Sequence, residues 1–207
     1  MAMTTADFAT PATEAELEAL AGRLRERNFE VVIVQDAAEA KSEVLKRIPE
    51  GATVHSGKSK TLEDAGVFDE LMSSERYDFL RRRTSKMDRN TQGDEIRKLN
   101  SAPDVMLGSV HAVTEAGQLV ITSASGSQIG PIASGAGKLV LVIGSQKVVP
   151  DLDSAFRRIQ EHVFPWEDAR LREAMNIGTA ITRTLILDRD FRPGRTTIIL
   201  VREPIGI

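Results

Sequence analysis

The stretch that decides the fold runs from Val31 to His55: V-V-I-V-Q-D-A-A-E-A-K-S-E-V-L-K-R-I-P-E-G-A-T-V-H. Val31 to Val34 are four consecutive β-branched residues and read as a buried strand. Asp36 is placed to cap a helix whose apolar positions, Ala37, Ala40, Val44, Leu45 and Ile48, recur at helical spacing. Pro49 and Gly51 end that helix, and Ala52 to His55 form a second short strand. Upstream, Thr13 and Glu16 have capping-box spacing, and Leu17, Leu20 and Leu24 mark a helix over about 14–28. The resulting α-β-α-β order predicts an α/β fold: an open, mainly parallel sheet flanked by helices.

Further along, helical periodicity runs through Leu62, Val67, Phe68, Leu71 and Met72. The charged stretch 75–98 carries Arg81, Arg82, Arg83, Lys86 and Arg89 and reads as one or two solvated helices, an arm or a lid. Short strands follow at 104–107, and at 111–114 and 119–122 around a turn at Ala116-Gly117. Leu139 to Ile143 is a clear buried strand and Lys147 to Val149 a shorter one. Asp151 caps a helix bearing Leu152, Ala155, Phe156 and Ile159, a further helix spans about 165–175, and Thr196 to Val201 closes the pattern as a strand. Residues 1–13 lack periodicity and are expected to be flexible, leaving 14–207 as one domain.

Composition narrows the function classes. The 207 residues hold 27 basic and 30 acidic side chains, a net charge of −3, so no global field attracts nucleic acid or an anionic membrane. There is no cysteine, which excludes thiolate nucleophiles, disulfides and cysteine-held zinc or iron–sulfur centres in these residues. The N-terminal residues show no basic-then-apolar signal pattern, and no apolar run approaches the ~20 residues of a membrane span. A cytoplasmic protein is expected.

Two nucleotide-site patterns fail on spacing. Gly51 to Ser59 has five residues between its first glycine and Gly-Lys-Ser where a phosphate-binding P-loop needs four. Gly135-Ala136-Gly137 precedes a strand, whereas a dinucleotide fingerprint follows one. No nucleotide cofactor is therefore expected. His55, His111 and His162 lack metal-ligand spacing and read as structural, so no metal is expected either. The arginine run reads as a solvated helix face and Trp166 as a packing anchor.

Three segments can carry chemistry. The loop Ser56-Gly57-Lys58-Ser59-Lys60-Thr61 follows a strand and opens a helix, where unpaired N–H groups and lysines suit an anion. A plain polar turn with Ser59 or Thr61 as N-cap explains the same residues. Thr114-Glu115-Ala116-Gly117 places a carboxylate at a strand end, where it can serve as base, nucleophile or hydroxyl clamp, or can be an ordinary exposed hairpin residue. The Gly/Ser-rich segment 123–134, with Gly126, Ser127 and Gln128, permits close approach of backbone to a ligand, or is simply a flexible loop.

Taken together these motifs resemble those of the lactate-utilization (LUD) domain family. G-A-T-V-H-S-G-K-S-K-T-L-E-D-A-G over Gly51–Gly66 is similar to one family segment. D-V-M-L-G-S-V-H-A-V-T-E-A-G-Q-L-V from Asp104 and K-L-V-L-V-I-G-S-Q-K-V-V-P-D-L-D-S-A-F-R-R-I from Lys138 resemble its most distinctive block. The ending G-R-T-T-I-I-L-V-R-E-P-I-G-I is similar to the close of short members. The resemblance implies the fold shared by ribose-5-phosphate isomerase, glucosamine-6-phosphate deaminase and the CoA transferases. It places Ser56–Thr61 where the phosphosugar enzymes bind phosphate, and Glu115 in an E-x-G context comparable to the CoA-transferase nucleophile. The chain departs from the family where Gly126-Ser127-Gln128 replaces a common G-N-R, removing a bidentate anion partner, and where relatives carry a cysteine cluster.

The resemblance implies an accessory or substrate-binding component of a lactate-utilization system, taking a small carboxylate or phosphorylated metabolite. Ser56, Gly57, Lys58, Ser59, Thr61, Thr114, Gly117, Gly126, Ser127 and Gln128 would bind it and Glu115 would act on it. Iron–sulfur oxidoreductase subunits are the implied partners, with self-association left open. The alternatives are an autonomous isomerase or acyl/CoA transferase using Glu115, and a ligand-free scaffold. The two readings that use these turns require 56–61 and 114–117 to face one crevice.

Overall fold

The computed structural model describes residues 8–207. Within it, helix α1 (Glu14–Glu26) opens on the expected capping box: the Thr13 hydroxyl accepts from the Glu16 N–H, and the Glu16 carboxylate accepts from the Thr13 N–H at 2.7 Å. Residues 1–7 of the segment expected to be flexible lie outside the described residues; beyond them, the Ala12 N–H donates to the Ser145 carbonyl at 3.2 Å. Strand β1 (Glu30–Val34) leads to α2 (Ala37–Lys46), capped by Asp36, and then to β2 (Thr53–Ser56). Two short helices follow, α3 (Lys60–Asp64) and α4 (Val67–Ser73).

The charged stretch is not uniformly solvated. Its start supplies strand β3 (Asp78–Phe79) and helix α5 (Leu80–Thr84), with Tyr77, Phe79 and Leu80 buried, and α6 (Gly93–Ser101) comes after. The alternation of Tyr77 and Phe79 with polar neighbours is a strand signal that the surrounding arginines conceal. Then come β4 (Val105–Gly108), β5 (Ala112–Thr114), β6 (Leu119–Ser123), a π-helical turn at Pro131–Gly135, and β7 (Lys138–Gly144). A 3₁₀ turn, Ser145–Lys147, leads to β8 (Val148–Val149). Helices α7 (Leu152–Arg158) and α8 (Phe164–Met175) are joined through a π-helical segment, Ile159–Val163. Strands β9 (Arg183–Leu187) and β10 (Thr196–Val201) complete the order.

Six strands form one parallel sheet in the order β1-β10-β7-β4-β2-β3. Its two faces are built by alternation along the central strands. Leu139, Leu141, Ile143, Ile198 and Leu200 face α1 and Leu20, Ala21 and Leu24 on it, while Val140, Val142, Ile199 and Val201 face the α2 and α3–α4 side. Leu139, Leu141 and Ile143 are each fully buried, worth roughly 1.5–3 kcal/mol apiece. The expected α/β class, with an open parallel sheet between helices, is what the structure shows. No helix among the described residues is long and apolar enough to cross a membrane.

A second sheet, β8-β5-β6-β9, was not foreseen. It forms because the chain leaving β4 and the chain leaving β7 both continue into it, β5 pairing with β8 in parallel. The links Ser109–His111 and Ser145–Lys147 therefore lie on the seam between the sheets, at the carboxyl ends of parallel strands. Crevices in open α/β sheets form at such ends.

Candidate functional site

A cleft of about 310 Å³ opens on this seam. Such a volume is at the lower end of pockets that hold small molecules. The loop after β2 forms one wall, Ser123 to Ser125 with Ser127 and Gln128 a second, and apolar side chains from the helical segments after Arg158, including Ile159, Phe164 and Trp166, a third.

The 57–61 loop reaches the cleft, but its charges are already answered. Lys58 pairs with Glu63 at 3.0 Å, and Lys60 pairs with Asp64 one helical turn on. The Ser59 hydroxyl caps α3 by accepting from the Leu62 N–H. Ser56 is buried outside the lining and donates to the Gly57 carbonyl. Gly57 does line the cleft, and a Cβ there would stand 2.7 Å from the Gln128 Oε1. Gln128 is held by donating to the Thr122 carbonyl at 3.1 Å. Ser127 also lines the cleft. Gly126, with φ +78°, lies outside the lining and packs against Arg183.

The acidic turn does not join this cleft, so the expectation of one shared crevice is overturned. Antiparallel pairing of β5 with β6 is the reason. His111 begins that hairpin at the cleft and Thr122 ends it there, so the turn projects from the opposite end. At ~3.3 Å per residue, Thr114 stands ~10 Å along the strand from His111. Thr114 is fully buried and its hydroxyl accepts from the Gln118 N–H. Glu115 is exposed; its N–H donates to the Val149 carbonyl and its carbonyl accepts from Arg23 at 2.9 Å. Gly117, at φ +91°, packs on Arg27. The hairpin tip is fastened to α1 by Arg23 and to Arg27, and it lies outside the cleft lining.

Glu167 and Arg170 line the cleft as a closed ion pair at 2.6 Å, so its distinctive groups are Lys147 and His111, with Arg158 buried next to them outside the lining. Lys147 ends the 3₁₀ turn, is 2 % exposed and lines the cleft floor. Its ammonium donates to the Thr61 hydroxyl at 2.7 Å, the Ser109 hydroxyl at 3.0 Å and the Val110 carbonyl at 3.2 Å. Among the described residues no carboxylate is paired with it. Burial, and next the Arg158 charge, lower its pKa to about 7, with Asp64 opposing. The turn is fixed from behind: the Ser145 hydroxyl donates to the Arg202 carbonyl and the Gln146 amide to the Ile205 carbonyl.

His111 lines the same floor. Its Nδ1 accepts from the Thr122 N–H at 3.0 Å, so the neutral ring carries its proton on Nε2. Burial, then Lys147 and Arg158, push its pKa down to about 3, which keeps the ring neutral. Arg158, fully buried at the start of the π-helical segment, donates to the His111 carbonyl, while its Nε and Nη2 have no hydrogen-bond partner among the described residues. Burial lowers its pKa to about 10, so it remains charged. His55, buried on β2 with both ring nitrogens unpartnered, lies outside the cleft lining.

A buried lysine without a paired carboxylate, a neutral histidine donor, and the hydroxyls of Thr61 and Ser109 thus converge on one floor, while the Arg158 guanidinium lies outside the lining, against the His111 carbonyl. Burial of unpaired charge is costly, and an anion entering the cleft relieves that cost. Sequence reasoning missed Lys147 because it stands beside an apolar run, where it reads as a strand residue. The available signal was a lysine directly after the carboxyl end of a buried parallel strand.

A family model described as LUD domain matches residues 17–201, and the chain belongs to that family. No curated protein sequence matches it. Among solved structures it is similar to a DUF162 family protein from Deinococcus radiodurans, with 12% identity over 92% of this chain and 99% of that one and a TM-score of 0.54. At that identity the likeness concerns the fold alone.

Proposed function

We propose that the chain binds a small carboxylate or phosphorylated metabolite in the seam cleft, as an accessory or substrate-binding component of a lactate-utilization system. One observation carries the binding half: Lys147 is a buried cation on the cleft floor with no paired carboxylate among the described residues. The family supports the system. These residues contain no cysteine, so cysteine-held iron–sulfur clusters would belong to partner subunits. The cleft's place at the carboxyl ends of parallel strands, with a Gly/Ser/Thr loop after β2, also supports kinship with the phosphosugar isomerase and CoA-transferase fold. The anion contacts in this reading come from Lys147, His111 and the Thr61 and Ser109 hydroxyls, with Lys58 and Ser59 at the rim.

Thermal unfolding with lactate, pyruvate and ribose 5-phosphate tests the proposal. A ligand at a hundred times its Kd raises Tm by roughly 5–10 °C for a chain of this size. At least one of these anions raises Tm in the wild type, and Lys147→Met abolishes the rise. The proposal fails when none of the three shifts the wild type, or when Lys147→Met responds as the wild type does.

A further inference from the structure

We propose that Lys147 forms a reversible imine with the carbonyl carbon of a 2-oxo acid held in the cleft. The inference deepens the anion-site reading and rests on it. It begins from the placement of the amine: at the cleft floor, fixed by two hydroxyls and one carbonyl rather than by a carboxylate. A lysine that serves only to balance charge is met by an acid. Here the titratable groups around it are Arg158 from α7, Asp64 from α3, itself paired with Lys60, and His111, which is neutral. Burial, and next the Arg158 charge, disfavour the ammonium, and a pKa near 7 supports a free amine in a large share of molecules at neutral pH.

The chemistry closes on groups already present. The free Lys147 nitrogen attacks the carbonyl carbon, the N–C bond forms, and the carbonyl π pair moves onto oxygen. A proton passes from nitrogen to that oxygen through the Ser109 or Thr61 hydroxyl, each within 3.0 Å of Nζ. The carbinolamine then loses its oxygen as water together with the second amine proton, leaving C=N. No oxidant or reductant is consumed. The Nε2–H of His111 is the donor available to a ligand oxygen, and the ligand carboxylate offsets the buried positive charge. A 2-hydroxy acid occupies the same cleft without reacting, because it offers no carbonyl carbon.

Reductive trapping decides the matter. Wild-type protein is incubated with pyruvate and sodium cyanoborohydride at neutral pH, then read by intact mass and peptide mapping. The expected product is one reduced pyruvate adduct on the peptide containing Lys147, formed several-fold faster than on any other lysine and slowed by added lactate. Lys147→Arg loses this fast adduct. Absence of an adduct, or labelling spread evenly over lysines such as Lys58 and Lys86, overturns the imine. Thermal shifts with lactate in the same samples separate the two ideas. A lactate shift without an adduct removes the imine and leaves the anion site standing; no shift and no adduct removes both.

Discussion

Replacing Lys147 by methionine keeps most of the side chain's length and deletes its charge. Holding the amine at about 7 in the folded chain, against an ordinary 10.5, corresponds to roughly 5 kcal/mol of bias against the ammonium. The substitution also strands the Thr61 and Ser109 hydroxyls, at a cost of about 1–3 kcal/mol. At pH 6, where folded and unfolded chains both carry the charge, the variant should be more stable than the wild type by about 2–4 kcal/mol. Between pH 7 and 10.5 the unfolded chain holds a proton that folded Lys147 has released, so wild-type stability rises with pH. From pH 7 to 9 the wild type should gain about 2 kcal/mol on the variant. Urea unfolding of both proteins at pH 6, 7, 8 and 9 measures this difference, in which all other titrating groups cancel. Parallel stability profiles would show an ordinary solvated lysine and refute the electrostatic picture of the floor.

Other perturbations give equally definite outcomes. Glu115→Gln should leave stability within about 0.5 kcal/mol and leave anion-induced thermal shifts intact, because the hairpin tip lies outside the cleft; loss of the shift would restore that turn to the site. His55 and His111 are held neutral, near 4 and 3, so the unfolded chain takes up protons first on acidification and stability should fall steadily from pH 6.5 to 4. Urea midpoints measured across that window check this, and a flat profile contradicts it. A Cβ at Gly144 would stand 2.4 Å from the Gln146 Oε1 and 2.5 Å from the Ile205 carbonyl oxygen, so Gly144→Ala should cost about 3 kcal/mol and loosen the turn carrying Lys147. Unchanged Tm in that variant would mean the turn is not tightly fixed.

The sequence was most legible where local rules act alone. Capping at Thr13, Asp36 and Asp151 and the buried run of β7 needed only neighbouring residues, and each stands as read. Strand β9 was missed because Arg183–Leu187 is a half-exposed edge strand without flanking signals that set it apart. Phe156 is 37 % exposed, at the edge of the face on which Ala155 and Ile159 are buried. The second sheet depends on where β4 and β7 lead, which is long-range pairing that no local pattern encodes. The same division holds for the site. The loops at 57–61 and 127–128 are found by their small and hydroxyl residues. Glu115 was misleading because its context matched a motif while hairpin direction carried it away. Lys147 has chemical meaning only beside Thr61, 86 positions away, and Ser109, 38 away.

The most direct measurement is isothermal titration calorimetry of pyruvate and lactate into the wild type and Lys147→Met at pH 6 and pH 9. If the unpaired lysine of the seam is the heart of an anion site, lactate binds the wild type at one site per chain, more weakly at pH 9 where Lys147 is neutral, and does not bind Lys147→Met. Equal lactate affinity at both pH values, or undiminished binding to Lys147→Met, would show that the buried amine does not hold the ligand.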